Sequence, residues 1–131
     1  SNNKNLKVVL AGTRRNYLIN QFELNDIPYV HYEMIPEKEL NELYNLLDLY
    51  IVSSRIEGGP QAIVESSIIK TPIVSTNVGI AQEILHPDSI YIPDEFFKAK
   101  ANINFAYENT KQLLIPQGME QFRRIFLNYE N

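Results

Sequence analysis

Five short apolar runs alternate along the chain with segments of helical periodicity, and this alternation constrains the fold more than any other feature. The runs cover residues 6–11, 28–32, 49–52, 72–75 and 89–92. The third run is apolar without alternation, as expected for a strand that is covered on both faces. Strands that alternate with helices at such short intervals imply βαβ units and parallel pairing. The sequence therefore predicts an α/β fold, with a Rossmann-like parallel sheet flanked by helices.

The helical segments lie between and after these runs. Helices are predicted over residues 16–25, from 36 to about 47, from 60 to about 70, and over 80–85. In the clearest of them, apolar side chains follow i, i+3, i+4, i+7 spacing, at Leu40, Leu43, Tyr44 and Leu47. This spacing places them on one helix face, so we expect that face to meet a core.

Two further helices are predicted to close the chain, over residues 95–114 and 118–129. The second carries an apolar stripe of Phe122, Ile125, Phe126 and Tyr129. Helical spacing of this kind is more typical of packing than of a cofactor-binding sequence.

Length, charge and cysteine content narrow the class of protein. A chain of 131 residues is the size of one domain, and we assign 4–131 to a single domain in which 115–131 form a terminal helix. The net charge of −4 is spread evenly, which argues against a nucleic-acid partner. There is no cysteine and no long apolar run, so we expect neither a disulfide framework nor a transmembrane segment. A reducing, cytoplasmic compartment fits this composition.

Candidate chemistry is expected where the strands end. In an open parallel sheet, ligands bind in the crevice at the carboxyl ends of the strands, and three segments follow strands there: 12–15, 53–61 and 75–79. The middle segment contains Gly58, Gly59 and Pro60. Glycines let a ligand approach the backbone, and proline suits the first position of a helix. The free N–H groups of that helix start would stabilise an anion such as a phosphate.

Two glutamates bracket this segment. Glu57 precedes the predicted helix start, Glu65 lies eight residues further on, and Gln61 shares a helix face with Glu65 at i, i+4 spacing. A carboxylate can accept hydrogen bonds from two hydroxyls at once, which suits the vicinal diol of a ribose or hexose. The alternative from spacing alone is that both glutamates are solvated surface groups, since acidic side chains usually lie outside.

The surrounding string is more specific than the spacing. Residues 39–65 read ELNELYNLLDLYIVSSRIEGGPQAIVE and residues 71–79 read TPIVSTNVG. This order of residues resembles the nucleotide-sugar half of family 4 glycosyltransferases, which have the GT-B fold and an E-x(7)-E signature. The resemblance covers about residues 6–92.

The resemblance implies a role for each matched residue. Glu65 is similar to the glutamate that holds the ribose hydroxyls, and Glu57 to the catalytic one that contacts the donor sugar near its anomeric carbon. The backbone from Gly58 to Gln61, including Gly59 and Pro60, would meet the sugar and diphosphate. Arg55 could reach a phosphate, and a surface ion pair is the alternative. Met34 and Ile35 are a weaker candidate for a wall against the base.

The resemblance also implies a reaction and partners. It implies a retaining transferase that uses no metal or other cofactor and moves a sugar from a nucleoside diphosphate to a glycan, a lipid-linked or another acceptor. In the family an N-terminal domain supplies the acceptor site. We expect that domain to be absent here, so the fragment alone should be inactive, and membrane association would come through the missing part. A non-catalytic α/β ligand-binding or interaction module remains the alternative, because fold does not fix function.

Some residues depart from the family pattern or are interpreted as structural. Ile80 replaces a usual glycine, with a possible effect on donor contacts, and Lys70 replaces the customary glycine at a helix end, which changes a helix cap. The family's Arg and Lys pair for the diphosphate is not found, and Arg14 and Arg15 are not assigned that role. His31 and His86 have no partner at metal-ligand spacing, so each is interpreted as a lone surface or core histidine.

Overall fold

A computed structural model of the protein describes residues 6–58 and 61–128. The chain divides into two compact units, Ser1–Leu40 and Asn41–Asn131. The predicted site residues Gly59 and Pro60 lie outside the described residues, as do the two ends of the predicted 4–131 domain and Tyr129 of the apolar stripe.

The first unit contains a βαβ segment. Strand β1 (Val8–Ala11) leads through helix α1 (Asn16–Leu24) to strand β2 (Tyr29–Tyr32). The two strands pair in parallel from Val8 opposite Tyr29 to Ala11 opposite Tyr32. Helix α2 (Glu37–Leu46) begins in this unit and ends in the second one.

The second unit contains a parallel sheet of three strands, in the order β3-β4-β5. They are β3 (Tyr50–Val52), β4 (Ile73–Thr76) and β5 (Ile90–Tyr91). Helix α3 (Gln61–Ile69) connects β3 to β4, and the short helix α4 (Ala81–Ile84) with the 3-10 turn Pro87–Ser89 connects β4 to β5. All four residues of β4 are buried, as expected for a central strand.

The core of the second unit lies between this sheet and its helices. Its members are buried aliphatic side chains: Val52, Ile63, Ile73, Val78, Ala81, Ile84, Leu85 and Ala106. Ile63, from the middle of α3, is fully buried and fixes that helix against the sheet. Parallel sheets flanked by helices confirm the predicted α/β, Rossmann-like fold class.

The single helix predicted over residues 95–114 is wrong. Residues Pro93–Lys98 form a 3-10 segment, and helix α5 (Ile103–Lys111) begins only after it. The reason is a tertiary contact, because the Ser89 hydroxyl donates to the Lys100 carbonyl at 2.8 Å and accepts the Asn102 N–H at 3.0 Å. Asn102 then caps α5 by accepting the N–H of Phe105 at 3.1 Å.

Helix α6 (Gln117–Asn128) ends the described chain. Its side chains Phe122, Ile125 and Phe126 are 59%, 55% and 69% exposed. The helical period places these side chains on one face of α6, and that face is open to solvent in this chain. None of the helices within residues 6–58 and 61–128 combines the length and the apolar character that a membrane span needs.

Candidate functional site

The loop that leaves β3 is tied to the two neighbouring strands by hydroxyl groups. The Tyr91 hydroxyl donates to the Val52 carbonyl at 3.0 Å, and the Thr76 hydroxyl donates to the Ser54 carbonyl at 2.6 Å. The Ser54 hydroxyl in turn donates to Oε1 of Glu57. These bonds hold the start of the loop against β4 and β5 and lead directly to the first predicted glutamate.

Arg55, Glu57 and Gly58 of this loop are exposed, as is Gln61 at the start of α3. A Cβ atom built on Gly58 would meet nothing within 4 Å, so the protein leaves open space beside this backbone. The described part of the chain supplies no ion-pair partner for Arg55, which leaves the phosphate interpretation of this residue open.

Glu65 has a different environment, one turn into α3. It is half-buried, and its Oε2 accepts a hydrogen bond from the Tyr44 hydroxyl at 3.2 Å. Tyr44 comes from α2, is only 5% exposed, and stands edge-on to the Tyr50 ring at 5.5 Å between centroids. The hydroxyl of Thr71 donates to the Tyr44 carbonyl at 2.8 Å and fixes this residue from the start of the segment that leads into β4.

Burial is the main reason why the Tyr44 phenol is a weaker acid than an ordinary tyrosine. It raises the pKa of the Tyr44 phenol well above its ordinary value of 10.0, and the neighbouring phenol of Tyr50 and carboxylate of Glu65 raise it further. Deprotonation would place a second negative charge beside Glu65 in a poorly solvated position. At neutral pH Tyr44 is therefore a fixed donor to the Glu65 carboxylate.

The start of α3 adds backbone N–H groups to this region. Helix α3 begins at Gln61, and the first-turn N–H groups of a helix have no partner within the helix. The partial positive charge of a helix start favours an anion there. Gln61 and Glu65 are separated by four residues and thus by about 6 Å along the axis, so a ligand could contact the helix start and Glu65 together.

The structure thus gives each predicted glutamate a hydroxyl donor, and the two donors come from different elements. Ser54 serves Glu57 within the loop, whereas Tyr44 serves Glu65 from α2. A separate open depression, lined by Asp88 and residues 100–104, lies at the start of α5 and contains none of the predicted site residues. Because this depression is open and lies apart from the predicted glutamates, we place the candidate site at the β3 loop.

Sequence reasoning missed the residues that support the glutamates. Tyr44 was predicted only as part of a core-facing stripe, and Thr76 only as part of the 75–79 segment. A signal for Ser54 existed, because a serine three residues before a carboxylate can form a local side-chain hydrogen bond. Tyr91 and the partnership of Tyr44 with Glu65 depend on tertiary contacts that no spacing reveals.

The two histidines have structural partners. His31 Nε2 lies 2.9 Å from the Gly12 carbonyl oxygen, and His86 Nδ1 accepts the N–H of Asp88 at 3.2 Å. The His86 ring also stands edge-on to Phe105. Within the described ranges no three His, Cys, Asp or Glu side chains lie close enough together to hold a metal ion.

Met34 and Ile35, the weaker candidates for contact with a base, belong to the first unit. Met34 is 87% exposed and Ile35 is half-buried. An exposed methionine offers a flexible apolar surface, and the assignment stays a prediction.

Fold and site together define the class of protein: a Rossmann-like α/β domain that presents acidic side chains and a helix start at the carboxyl end of a parallel strand. Comparison with known families is more specific. The family model described as "Glycosyl transferases group 1" matches residues 1–115, and the chain belongs to this family. No curated protein matches the chain in sequence.

Proposed function

We propose that the chain is the donor-binding domain of a retaining, metal-independent family 4 glycosyltransferase. It would bind a nucleoside diphosphate sugar, and the sugar would pass to a glycan, a lipid-linked or another acceptor held by a second domain of the full protein. Family membership supports sugar transfer in general. The proposal includes the class of donor, the retaining mechanism, a cytoplasmic location and the dependence on another domain.

One observation carries the assignment of the nucleotide side. Glu65 is a half-buried carboxylate that a buried phenol holds by one oxygen, on a helix whose first turn offers backbone N–H groups. A carboxylate fixed in this way can accept two hydroxyls of a ribose, and the helix start can bind the diphosphate. The role proposed for Glu65 is therefore to hold the ribose.

The loop would serve the other half of the donor. Glu57 is the catalytic residue of the proposal and contacts the sugar near its anomeric carbon. The backbone N–H groups of Gly58, Gly59 and Gln61 and the Arg55 guanidinium would stabilise the diphosphate as it leaves, and charge stabilisation of this kind is a large contribution to transfer reactions. Because water must be excluded while the acceptor attacks, two domains would close over the donor. The 131-residue chain alone should bind a donor weakly and transfer nothing.

A titration tests the nucleotide assignment. UDP, GDP, ADP, UDP-glucose and GDP-mannose are titrated calorimetrically against the wild type, Glu65→Ala and the control Glu108→Ala. Glu108 is an exposed helical glutamate whose carboxylate pairs with Lys111 at 3.7 Å. Loss of the ribose contacts should cost about 1–3 kcal/mol of binding in Glu65→Ala alone. Equal affinity in all three proteins would favour the non-catalytic module.

A glycine variant tests whether a ligand approaches the loop backbone. The Cβ added in Gly58→Ala would meet no atom within 4 Å, and Gly58 does not have a left-handed φ, so the fold should tolerate this substitution. A donor that packs against this backbone would collide with the new methyl group. We expect unchanged free energy of unfolding and weaker nucleotide-sugar binding, and unchanged binding would place the donor elsewhere.

A further inference from the structure

Glu57 is an exposed side chain on a loop, yet its proposed task requires a fixed orientation. A glutamate in solvent samples several rotamers, and fixing it has an entropic cost. A group that must meet one atom of a bound sugar works best when its rotamer is held before the ligand arrives. Some feature of the loop should therefore hold this carboxylate.

The hydroxyl of Ser54 has the required position. It donates to Oε1 of Glu57, and the same residue's carbonyl accepts the hydroxyl of Thr76 at 2.6 Å. Ser54 is half-buried, whereas Thr76 is 8% exposed and belongs to the central strand β4. Ser54 is thus fixed through its main chain to the sheet and through its side chain to Glu57.

We propose that Ser54 is a positioning residue for Glu57, anchored by Thr76, and that it orients the Glu57 carboxylate toward the donor sugar. This inference rests on the proposed function, because it presumes that Glu57 contacts the sugar. Glu57 keeps Oε2 outside the Ser54 hydrogen bond, and a sugar hydroxyl can donate to that oxygen. Ser54 itself contacts no ligand in this arrangement.

The arrangement of the anchor separates positioning from loop stability. Thr76 fixes the Ser54 main chain whether or not the Ser54 hydroxyl is present, and Tyr91 independently holds the Val52 carbonyl at 3.0 Å. Removal of the Ser54 hydroxyl therefore leaves the start of the loop bound to the sheet. What it changes is the orientation of Glu57.

The test measures how much the sugar adds to donor binding. For each variant, the Kd of UDP is divided by the Kd of UDP-glucose, and the Kd of GDP by the Kd of GDP-mannose. The nucleotide pair that gives the larger ratio in the wild type is the pair compared between variants. The variants are Glu57→Gln, Ser54→Ala, Ser54→Thr, which keeps a hydroxyl, and Thr76→Val. Circular dichroism confirms that each variant is folded.

We expect the ratio to fall at least about fivefold in Ser54→Ala, to fall similarly in Glu57→Gln, and to recover in Ser54→Thr. Thr76→Val should lower it as well, because the anchor is lost.

A ratio that falls in Glu57→Gln but not in Ser54→Ala overturns the positioning role while the role of Glu57 stands. A ratio unaffected by Glu57→Gln, or near one in the wild type, refutes the sugar contact of Glu57 and the inference with it. A fall in Ser54→Ala that Ser54→Thr does not reverse also counts against the hydroxyl.

Discussion

Replacing Tyr44 with phenylalanine removes the hydroxyl that supports Glu65 and that also interacts with Tyr50. Tyr44 is only 5% exposed, and the edge-on contact of its ring with the Tyr50 ring at 5.5 Å between centroids does not need the hydroxyl. The variant therefore preserves packing. It deletes the 3.2 Å hydrogen bond to Glu65 and the raised pKa of the Tyr44 phenol.

The magnitude at neutral pH follows from the geometry. A hydrogen bond to a charged acceptor contributes about 1.5–3 kcal/mol and an ordinary one about 0.5–1.5 kcal/mol. This bond is long at 3.2 Å, and Glu65 is half-buried, so water can replace the lost donor. We expect Tyr44→Phe to lower the free energy of unfolding by about 1 kcal/mol at pH 7.

The effect on alkaline stability has a definite sign. The pKa of Tyr44 is raised in the folded protein, chiefly by burial, so the folded state keeps a proton that the unfolded chain releases above its ordinary pKa of 10.0. Stability is therefore fully present below pH 10 and falls as the pH rises above it, by up to about 1.4 kcal/mol per pH unit for one proton. Tyr44→Phe should make this decline shallower. Tyr91, whose pKa burial also raises, retains part of it.

Urea unfolding followed by circular dichroism at several pH values from 7 to 11 measures both effects. Tyr17→Phe is the matched control, because Tyr17 is 73% exposed on α1 and should change neither quantity. An equal decline above pH 10 in Tyr44→Phe and the wild type would refute the account of the buried phenol. A neutral-pH stability equal to that of the wild type would refute the hydrogen bond to Glu65.

Four further substitutions test the packing of the second unit by urea unfolding. Ser67→Ala and Thr110→Val each remove a buried hydroxyl that has no hydrogen-bond partner among the described residues, so each should stabilise by about 1 kcal/mol, and a loss would reveal a hidden partner. Gly118→Ala places a Cβ 2.5 Å from the Leu113 carbonyl oxygen and should destabilise by about 1–3 kcal/mol; no change would mean that α6 shifts freely. Lys70→Gly relieves a φ of +67° but loses the ammonium contact over an aromatic ring of α5, so we expect a gain below about 1 kcal/mol, and a clear loss would show that the ring contact outweighs the strain.

The alternation of apolar runs and helical segments predicted the elements well because it reflects local chemistry. Each predicted strand overlaps an observed one, from Val8–Ala11 to Ile90–Tyr91. Helix α3 ends as the resemblance predicts, with the Thr71 N–H donating to the Ser66 carbonyl at 2.9 Å, although Lys70 stands in the left-handed position that favours glycine. The hydrogen bond that ends the helix therefore forms even though the residue at this position is lysine and not glycine.

The errors arose where distant residues decide the local structure. Residues 99–102 leave the helical conformation because Ser89, more than ten residues earlier, binds Lys100 and Asn102 through one hydroxyl. The local signal at this point was Asn102, a favourable N-cap residue. The spacing of Glu57 and Glu65 could be read from the sequence, and Ser54 carried a local signal as a donor to Glu57. The pairing of Tyr44 with Glu65 could not be read in this way, because the two residues come from different helices.

The support of the two glutamates follows from their places in the fold. Glu57 lies on the exposed loop that follows β3; hydroxyls from β4 and β5 fix this loop, and Ser54 completes the support. Glu65 lies on α3, and because that helix packs by Ile63 against the core, its next face meets the α2 residue Tyr44. Phenol and alcohol donors can orient a carboxylate without neutralising it, whereas a lysine or arginine would compete with a ligand for its charge. Hydroxyl support therefore leaves both carboxylates able to accept hydrogen bonds from a sugar, which is what the proposed function requires of them.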